Sequence, residues 1–380
     1  MTSTERPDER PRTEDHPTRR TVRQRILAAP VTAALIGLCV GAFLSTLGLC
    51  ALNVEDPRGM LTRSWLELGA CEQTLTELGA LRLAELWLDG EWWRVLAAAL
   101  LHGSWLHVVL NTWSLWVVGE WVESTWGHAR TAVLFVLASV AGCLASAAWV
   151  EAPMVVGASG GIMGMAGALL VGRTLGRGHV AHQLQPISAR VLGGYLVVLV
   201  ALGFFVPVIA QAGHLGGLAA GALLGLSWAG REAIVGLAGR VGLGVLFASL
   251  VLAARQSEWR EGYYEYLGYA LLERDEDARA TAAFERALER RPDEARLANG
   301  VAYGLAKAGI ELDRAETLVR RSLDEEPDNA DYLDTLGWIL CRRGDYESGM
   351  EQLRLASDAS GGTVDEIEGH LVDCAEARVE

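Results

Sequence analysis

The sequence predicts an all-α fold in two parts, a polytopic membrane helix bundle followed by an α-helical solenoid. Three observations carry this. Residues 29–255 are strongly apolar and glycine-rich, in runs long enough to cross a bilayer. The chain is 51% hydrophobic with a mean hydropathy of +0.22, yet its net charge is -14. Those two values fit together only if the charge sits elsewhere, and it does: from Glu258 onward there are 30 Asp/Glu against 15 Lys/Arg, a balance of -15. The acidic segment also repeats itself at a spacing of ~34 residues, as helical arrays do.

The expected parts follow in order. Residues 1–28 are polar and contain proline, and read as a disordered cytosolic lead. The long apolar run behind this lead favours an uncleaved helix over a signal peptide. Residues 29–230 form the membrane domain, 231–255 a seventh span, and 256–380 the helical repeat. The candidate spans are 31–52, 105–122, 131–150, 159–172, 190–209, 214–229 and 233–254. The fourth and sixth are short or glycine-rich, so hydropathy alone ranks them low. The seventh carries Arg240, which costs ~2.5–3.5 kcal/mol at a helix centre unless the side chain snorkels.

Positive charge on the inner side sets orientation. Arg19, Arg20, Arg23 and Arg25 precede the first span, and Arg173, Arg177 and Arg190 fall between the fourth and fifth. Both signals put the N-terminus in the cytosol and residues 53–104 outside. Trp65, Trp87, Trp92 and Trp93 in that outer segment suit a membrane interface. With seven spans the tail lies outside, and with six it is cytosolic.

Acidity argues against nucleic acid as a partner, because phosphate binding needs a basic face. Cys39, Cys50, Cys71, Cys143, Cys341 and Cys374 show neither CxxC nor zinc spacing. They are not expected to define a disulfide framework.

Three polar clusters interrupt the apolar core: His102, His107 and Asn111 in LLHGSWLHVVLN, Ser159 in GASGG, and His214 in AGHLGGLAAG. Alternating topology puts all three near the outer ends of the second, fourth and sixth spans. Polar groups inside a membrane are expensive and are functional candidates. His107 and Asn111, four apart, share a helix face. Gly160, Gly164 and Ala168 form one small-residue stripe, and Gly217, Gly221 and Gly225 another. Facing stripes of this kind let helix backbones approach closely, which would bring Ser159 to His214. A serine hydroxyl needs an adjacent base to become a nucleophile, and neutral histidine serves. The oxyanion then needs preorganised donors: the Ser159 N–H at a helix start, with His107 and Asn111. No aspartate stands at the outer ends of these spans, so the pattern reads as a dyad. A glycine–serine run alone is more often helix packing. Metal binding by His102, His107 and His214 is not expected, since the five-residue step separates the first two on the helix and no carboxylate joins them.

These clusters together resemble the rhomboid family of intramembrane serine proteases. GASG matches its GxSG motif at Ser159, AGHLGGLAAG its His-xx-Gly-xxx-Gly motif, and HGSWLHVVLN its His-x4-His-x3-Asn motif. The resemblance covers about residues 31–230. It implies Ser159 as nucleophile, His214 as base, and His107, Asn111 and the Ser159 N–H around the oxyanion. Trp93–Arg94 and Gly119-xxx-Glu123-xxx-Gly127 also match, and imply structural roles. His102, Gly157, Gly160, Gly217 and Gly221 are implied supports. No metal or cofactor is implied. The partners are transmembrane protein substrates and the lipid bilayer, with a bacterial plasma membrane as the setting.

The tail is similar to tetratricopeptide repeats. Tyr264, Leu267, Gly268, Ala280, Phe284, Ala287 and Pro292 begin the pattern, and Leu333, Leu336, Gly337, Leu340, Leu353 and Ala356 return to it. A middle unit with Ala315 and Val319 ends at Pro327, and Tyr303 is read there at the usual glycine position. Such a solenoid implies a protein or peptide partner. His128, His179 and His182 are assigned to solvated cytosolic loops, and His370 is given no role. The alternative function is an inactive rhomboid-like scaffold acting through its repeats.

Overall fold

The computed structural model describes residues 22–378 apart from 55, 66–70, 150–153, 206–209, 231, 261 and 363. Seven helices make up the membrane part: α1 (Pro30–Asn53), α2 (Trp105–Trp126), α3 (His128–Trp149), α4 (Ser159–Leu175), α5 (Ala189–Phe205), α6 (Gln211–Trp228) and α7 (Ala233–Arg255). Residues 1–21, with Arg19 and Arg20, lie outside the described residues. The rest of the expected disordered lead is helical, over Val22–Ala28. By length and composition α1, α3 and α7 qualify as spans, and α2 joins them with Arg94–Leu100 across a 92° bend. The protein is an integral, multi-pass membrane protein.

α4 is the axis of the bundle. Residues 161–169 are all buried, and α6, α3, α2 and α5 surround it. Its 17 residues rise only about 26 Å, short of the ~30 Å hydrocarbon core. A central helix this short does not reach across the whole hydrocarbon core. In α7, Arg240 is exposed and lies only two turns from the helix start at Ala233. Its long side chain can extend toward the interface at that end of the helix.

The inner end of α1 is tied by Glu123. This buried carboxylate accepts from the Val31 N–H at 2.9 Å, the Thr32 N–H at 2.8 Å and the Thr32 hydroxyl at 2.7 Å. First-turn N–H groups have no partner within their own helix, and a carboxylate there also meets the positive end of the helix dipole. His128 contacts the same carboxylate at 2.5 Å, so it is engaged as well as solvent-exposed. Gly119 brings α2 against Thr32, whose side chain a Cβ there would meet at 2.6 Å.

The outer segment between α1 and α2 folds into short helices and the strand β1 (Leu81–Arg82), paired antiparallel with β2 (Met154–Val155). Arg94 organises it. Its buried guanidinium reaches Glu91 at 2.6 Å and the carbonyls of Thr76 at 2.5 Å and Ala80 at 3.0 Å. Trp93 packs on Gly79, where φ is +104° and a Cβ would strike the ring at 2.4 Å.

The expected lack of disulfides is wrong. Cys50 pairs with Cys71, and Cys341 with Cys374. The partners are 21 and 33 residues apart, a separation that no local spacing rule reads. Cys39 and Cys143, within α1 and α3, are free and buried.

After α7 come seven further helices: α8 (Tyr263–Leu272), α9 (Asp277–Arg290), α10 (Ala295–Ala308), α11 (Leu312–Glu325), α12 (Ala330–Arg342), α13 (Tyr346–Ser360) and α14 (Asp365–Ala377). They pack in consecutive pairs. Corresponding positions recur after 34 or 35 residues: Phe284, Val319 and Leu353 are each 0% exposed, as are Ala280 and Ala315. Steps of 34 and 35 residues from Gly268 and Gly337 reach Ala302 and Tyr303 in the middle unit; Ala302 is fully buried and Tyr303 half-buried. Tyr303 faces Trp338, with ring centroids 5.5 Å apart, and its hydroxyl donates to Glu366. His370, given no role from sequence, is buried, lies 2.9 Å from Asp334 and stacks on Trp338.

Candidate functional site

The site begins with three helices that meet through glycine. A Cβ at Gly217 would lie 2.1 Å from the Gly160 carbonyl oxygen, and one at Gly221 would lie 1.9 Å from that of Gly164. At Gly225 it would lie 2.8 Å from the Ala168 Cα. The two small-residue stripes of α4 and α6 therefore touch pair by pair, backbone on backbone. Such contact brings carbonyls and Cα–H groups into the range of weak hydrogen bonds.

Ser159 precedes Gly160 and His214 follows Gly213, so both half-buried side chains flank this crossing. A Cβ on Gly160 would be 3.5 Å from the Gly213 carbonyl oxygen. No hydrogen bond joins Ser159 to His214 among the described residues, and catalytic pairs commonly tighten only on the bound substrate. Among the described residues, His214 Nδ1 is buried without a hydrogen-bond partner.

The nucleophile loop is held from two sides. The Gly157 N–H donates to the Ala98 carbonyl at 2.9 Å. Gly157 has φ +122°, and a Cβ there would lie 2.7 Å from His107 Nε2. Glycine is thus required twice, for the backbone conformation and for the histidine against it. α4 then starts uncapped, because Ala158 supplies no side-chain acceptor. The Ser159 N–H is left without an intrahelical partner at the positive end of the helix.

His107 stands on the first turn of α2, within electrostatic reach of His214. His102 is fully buried and meets His107 edge-on at 5.0 Å. Its Nδ1 lies 3.2 Å from the Leu100 carbonyl, and Nε2 has no partner. Asn111 is buried one turn below His107, and its amide donates to the His107 carbonyl at 2.9 Å. The structure thus gathers His102, His107, Asn111, Gly157, Ser159 and His214 at one end of the bundle. Trp93, Arg94 and Glu123 sit apart from it, in the outer segment and at the inner end.

α3 contributes what the sequence reading missed. A Cβ on Gly142 would lie 2.7 Å from the Gly213 carbonyl and 3.4 Å from the Gly160 Cα. Gly142 therefore completes the three-helix contact behind the site. Ala138, Gly142 and Ser146, spaced by four, were the available signal. Ala138 faces Gly164, and the Ser146 hydroxyl faces Gly213.

Residues 89–231 match the family model of the rhomboid domain. Among curated proteins, the chain is 30% identical over 275 residues to the rhomboid protease GluP of Bacillus subtilis, covering 68% of this chain and 51% of that one. It is 31% identical over 159 residues to RHOMBOID-like protein 4 of Arabidopsis thaliana, covering 42% and 39%. It is 32% identical over 161 residues to Rhomboid-like protease 5 of Toxoplasma gondii, covering 41% and 18%. The chain thus spans about half the length, or less, of these relatives.

Proposed function

We propose that the chain is an intramembrane serine endopeptidase of rhomboid type, cutting transmembrane or membrane-proximal segments of other membrane proteins. The observation that supports this reading is the glycine contact of α4 with α6, a crossing that Ser159 and His214 flank. Ser159 Oγ attacks the scissile carbonyl and His214 takes its proton, then returns it to the leaving amine. The Ser159 N–H, His107 and Asn111 surround the oxyanion. Water from the outer face hydrolyses the acyl-enzyme. Substrate enters laterally between helices.

The N-terminus lies in the cytosol, and the setting is a bacterial plasma membrane. One disulfide ties the last turn of α1 to the segment that follows it, and the other lies in the C-terminal helices. Disulfides persist in oxidising compartments, which supports an extracytoplasmic location for both and seven spans between the termini. The C-terminal helices are a tetratricopeptide-like unit for a protein or peptide partner. The buried positions shared at steps of 34 and 35 residues support this, as does the aromatic row Tyr269, Tyr303 and Trp338.

A fluorophosphonate probe tests the reading in detergent-solubilised full chain. Wild type is expected to label at serine, with labelling abolished in Ser159→Ala and reduced at least a hundred-fold in His214→Ala, roughly the scale of a general base. Equal labelling of wild type and Ser159→Ala would favour the inactive scaffold instead.

A further inference from the structure

The C-terminal helices do not hang free of the membrane domain. Arg274, just past α8, grips Asp89 with two parallel bonds of 2.8 and 2.6 Å, and lies 3.8 Å from Glu85. Glu273 meets Arg82 at 2.7 Å, and Arg82 in turn lies 3.6 Å from Glu85. Between these charges Trp87 packs on Tyr263 with centroids 4.6 Å apart, and its indole N–H donates to the Ala254 carbonyl at 3.2 Å. Leu88 packs against the apolar core of the C-terminal helices. A second anchor joins the linker to α3: Trp259 meets Trp149 edge-on at 6.1 Å, and Arg260 donates to the Trp149 carbonyl at 3.1 Å.

What these contacts hold is the element that holds the nucleophile loop. Arg82 is half of β1, paired with Met154 and Val155 of β2. Two residues beyond β2 stands Gly157, against which His107 packs, and two further stands Ser159. The helix Leu83–Leu88 is clasped on both sides. Leu83 and Leu86 are buried in the membrane domain, while Asp89, Leu88 and Trp87 meet α8. A single exposed ion pair contributes little. Here a bidentate pair, a second pair and a ring contact converge on one six-residue helix, and bidentate arginine–carboxylate geometry fixes orientation.

We propose that the C-terminal helical unit is a built-in brace for the nucleophile loop. Arg274 and Glu273 are positioning residues that act through Asp89, Arg82 and the β1–β2 ladder. The proposal rests on the protease reading for its effect on turnover, but not for its structural step. Undocking α8 lets β1, and with it residues 154–157, move relative to His107 and His214. Binding of substrate within the bilayer does not involve this seam, so loosening it lowers kcat and leaves KM unchanged.

The test uses the full chain in detergent with three variants: Arg274→Asp, the exchanged pair Asp89→Arg with Arg274→Asp, and the milder Glu273→Gln. Hydrogen exchange is read at the amides of residues 154–157, and serine labelling and peptide turnover are read in parallel. Arg274→Asp, which sets like charges together, is expected to speed exchange at 154–157 and to lower kcat about ten-fold at constant KM, as small misplacements of reacting groups do. Glu273→Gln is expected to shift both in the same direction by less. The exchanged pair is expected to restore both. Unchanged exchange at 154–157 in Arg274→Asp and Glu273→Gln would overturn the brace, whatever the activity. A fall in activity that appears in KM, or that the exchanged pair does not repair, would overturn it too. If wild type shows no serine labelling, the protease reading fails on its own, and the exchange data still decide the brace.

Discussion

Glycine does opposite work at two helix contacts of this molecule, one in each half. Between α4 and α6 it admits backbone: Gly221 faces the Gly164 carbonyl oxygen, where a Cβ would come to 1.9 Å. Between α8 and α9 it admits a side chain: Gly268 faces the Phe284 ring, where a Cβ would come to 2.7 Å. The difference follows from the solvent. Lipid is as apolar as leucine, so burying side chains between membrane helices gains little, and close backbone packing carries association. The C-terminal helices fold in water, where covering Phe284 removes a large apolar surface from solvent. Their charged outer faces and apolar inner faces reflect that, with Arg and Glu in clusters such as Arg291–Glu265 at 2.6 Å.

The comparison breaks most readily at Gly221. A methyl group there has no side chain to displace, only the α4 backbone, so Gly221→Ala is expected to destabilise the membrane domain by about 3 kcal/mol, the upper range for overpacking. It should also separate Ser159 from His214. Thermal unfolding in detergent and serine labelling check this, and a near-neutral result would show that α6 can slide along α4.

Next comes Glu123→Ala. It strands the Val31 and Thr32 N–H groups at the end of α1, and unpaired buried donors cost about 1–3 kcal/mol each before relaxation. The same unfolding measurement should show a loss of about 2 kcal/mol, with labelling at Ser159 retained because the inner end is remote from the site. Gly268→Ala should cost less, about 1 kcal/mol, because the Phe284 ring can rotate away from the new methyl. Its effect should be confined to the C-terminal helices, as seen by hydrogen exchange in α8 and α9. An equal loss from Gly221→Ala and Gly268→Ala would erase the distinction between the two kinds of contact.

Much of the site could be read from the sequence because its requirements are local and steric. Gly160, Gly164, Gly217 and Gly221 announce close approach by their four-residue spacing, and the polar residues beside them stand out against an apolar background. Gly142 obeys the same spacing, but in α3 it is mixed with alanines and serines and carries no polar neighbour, so it passed as an ordinary span residue. Contacts that join distant parts left no trace. The Cys50–Cys71 and Cys341–Cys374 pairs, and the seam from Arg274 to Asp89 across 185 residues, depend on the assembled fold and on no periodicity.

The smallest expected effect lies in that seam, where the two halves meet. The Arg274 guanidinium, hydrogen-bonded to Asp89, holds its carboxyl below the usual carboxylate range, with burial opposing and the charges of Arg274 and Arg94 assisting. Glu85 and Glu276 are the other charged groups that act on Arg274. A carboxyl whose pKa is lower when docked adds stability above its free value of ~3.9, and that stability is lost as pH falls through the docked value. Hydrogen exchange of residues 83–88 should therefore be insensitive to docking changes between about pH 5 and 9 and rise only below about pH 4. Asp89→Asn should remove the acid step and leave a modestly looser seam at neutral pH, because one oxygen can still accept from Arg274. An acid transition that persists in Asp89→Asn would show that it does not come from the Asp89–Arg274 pair. The seam would then be held chiefly through the Arg82–Glu85–Arg274 cluster, with the bidentate pair secondary.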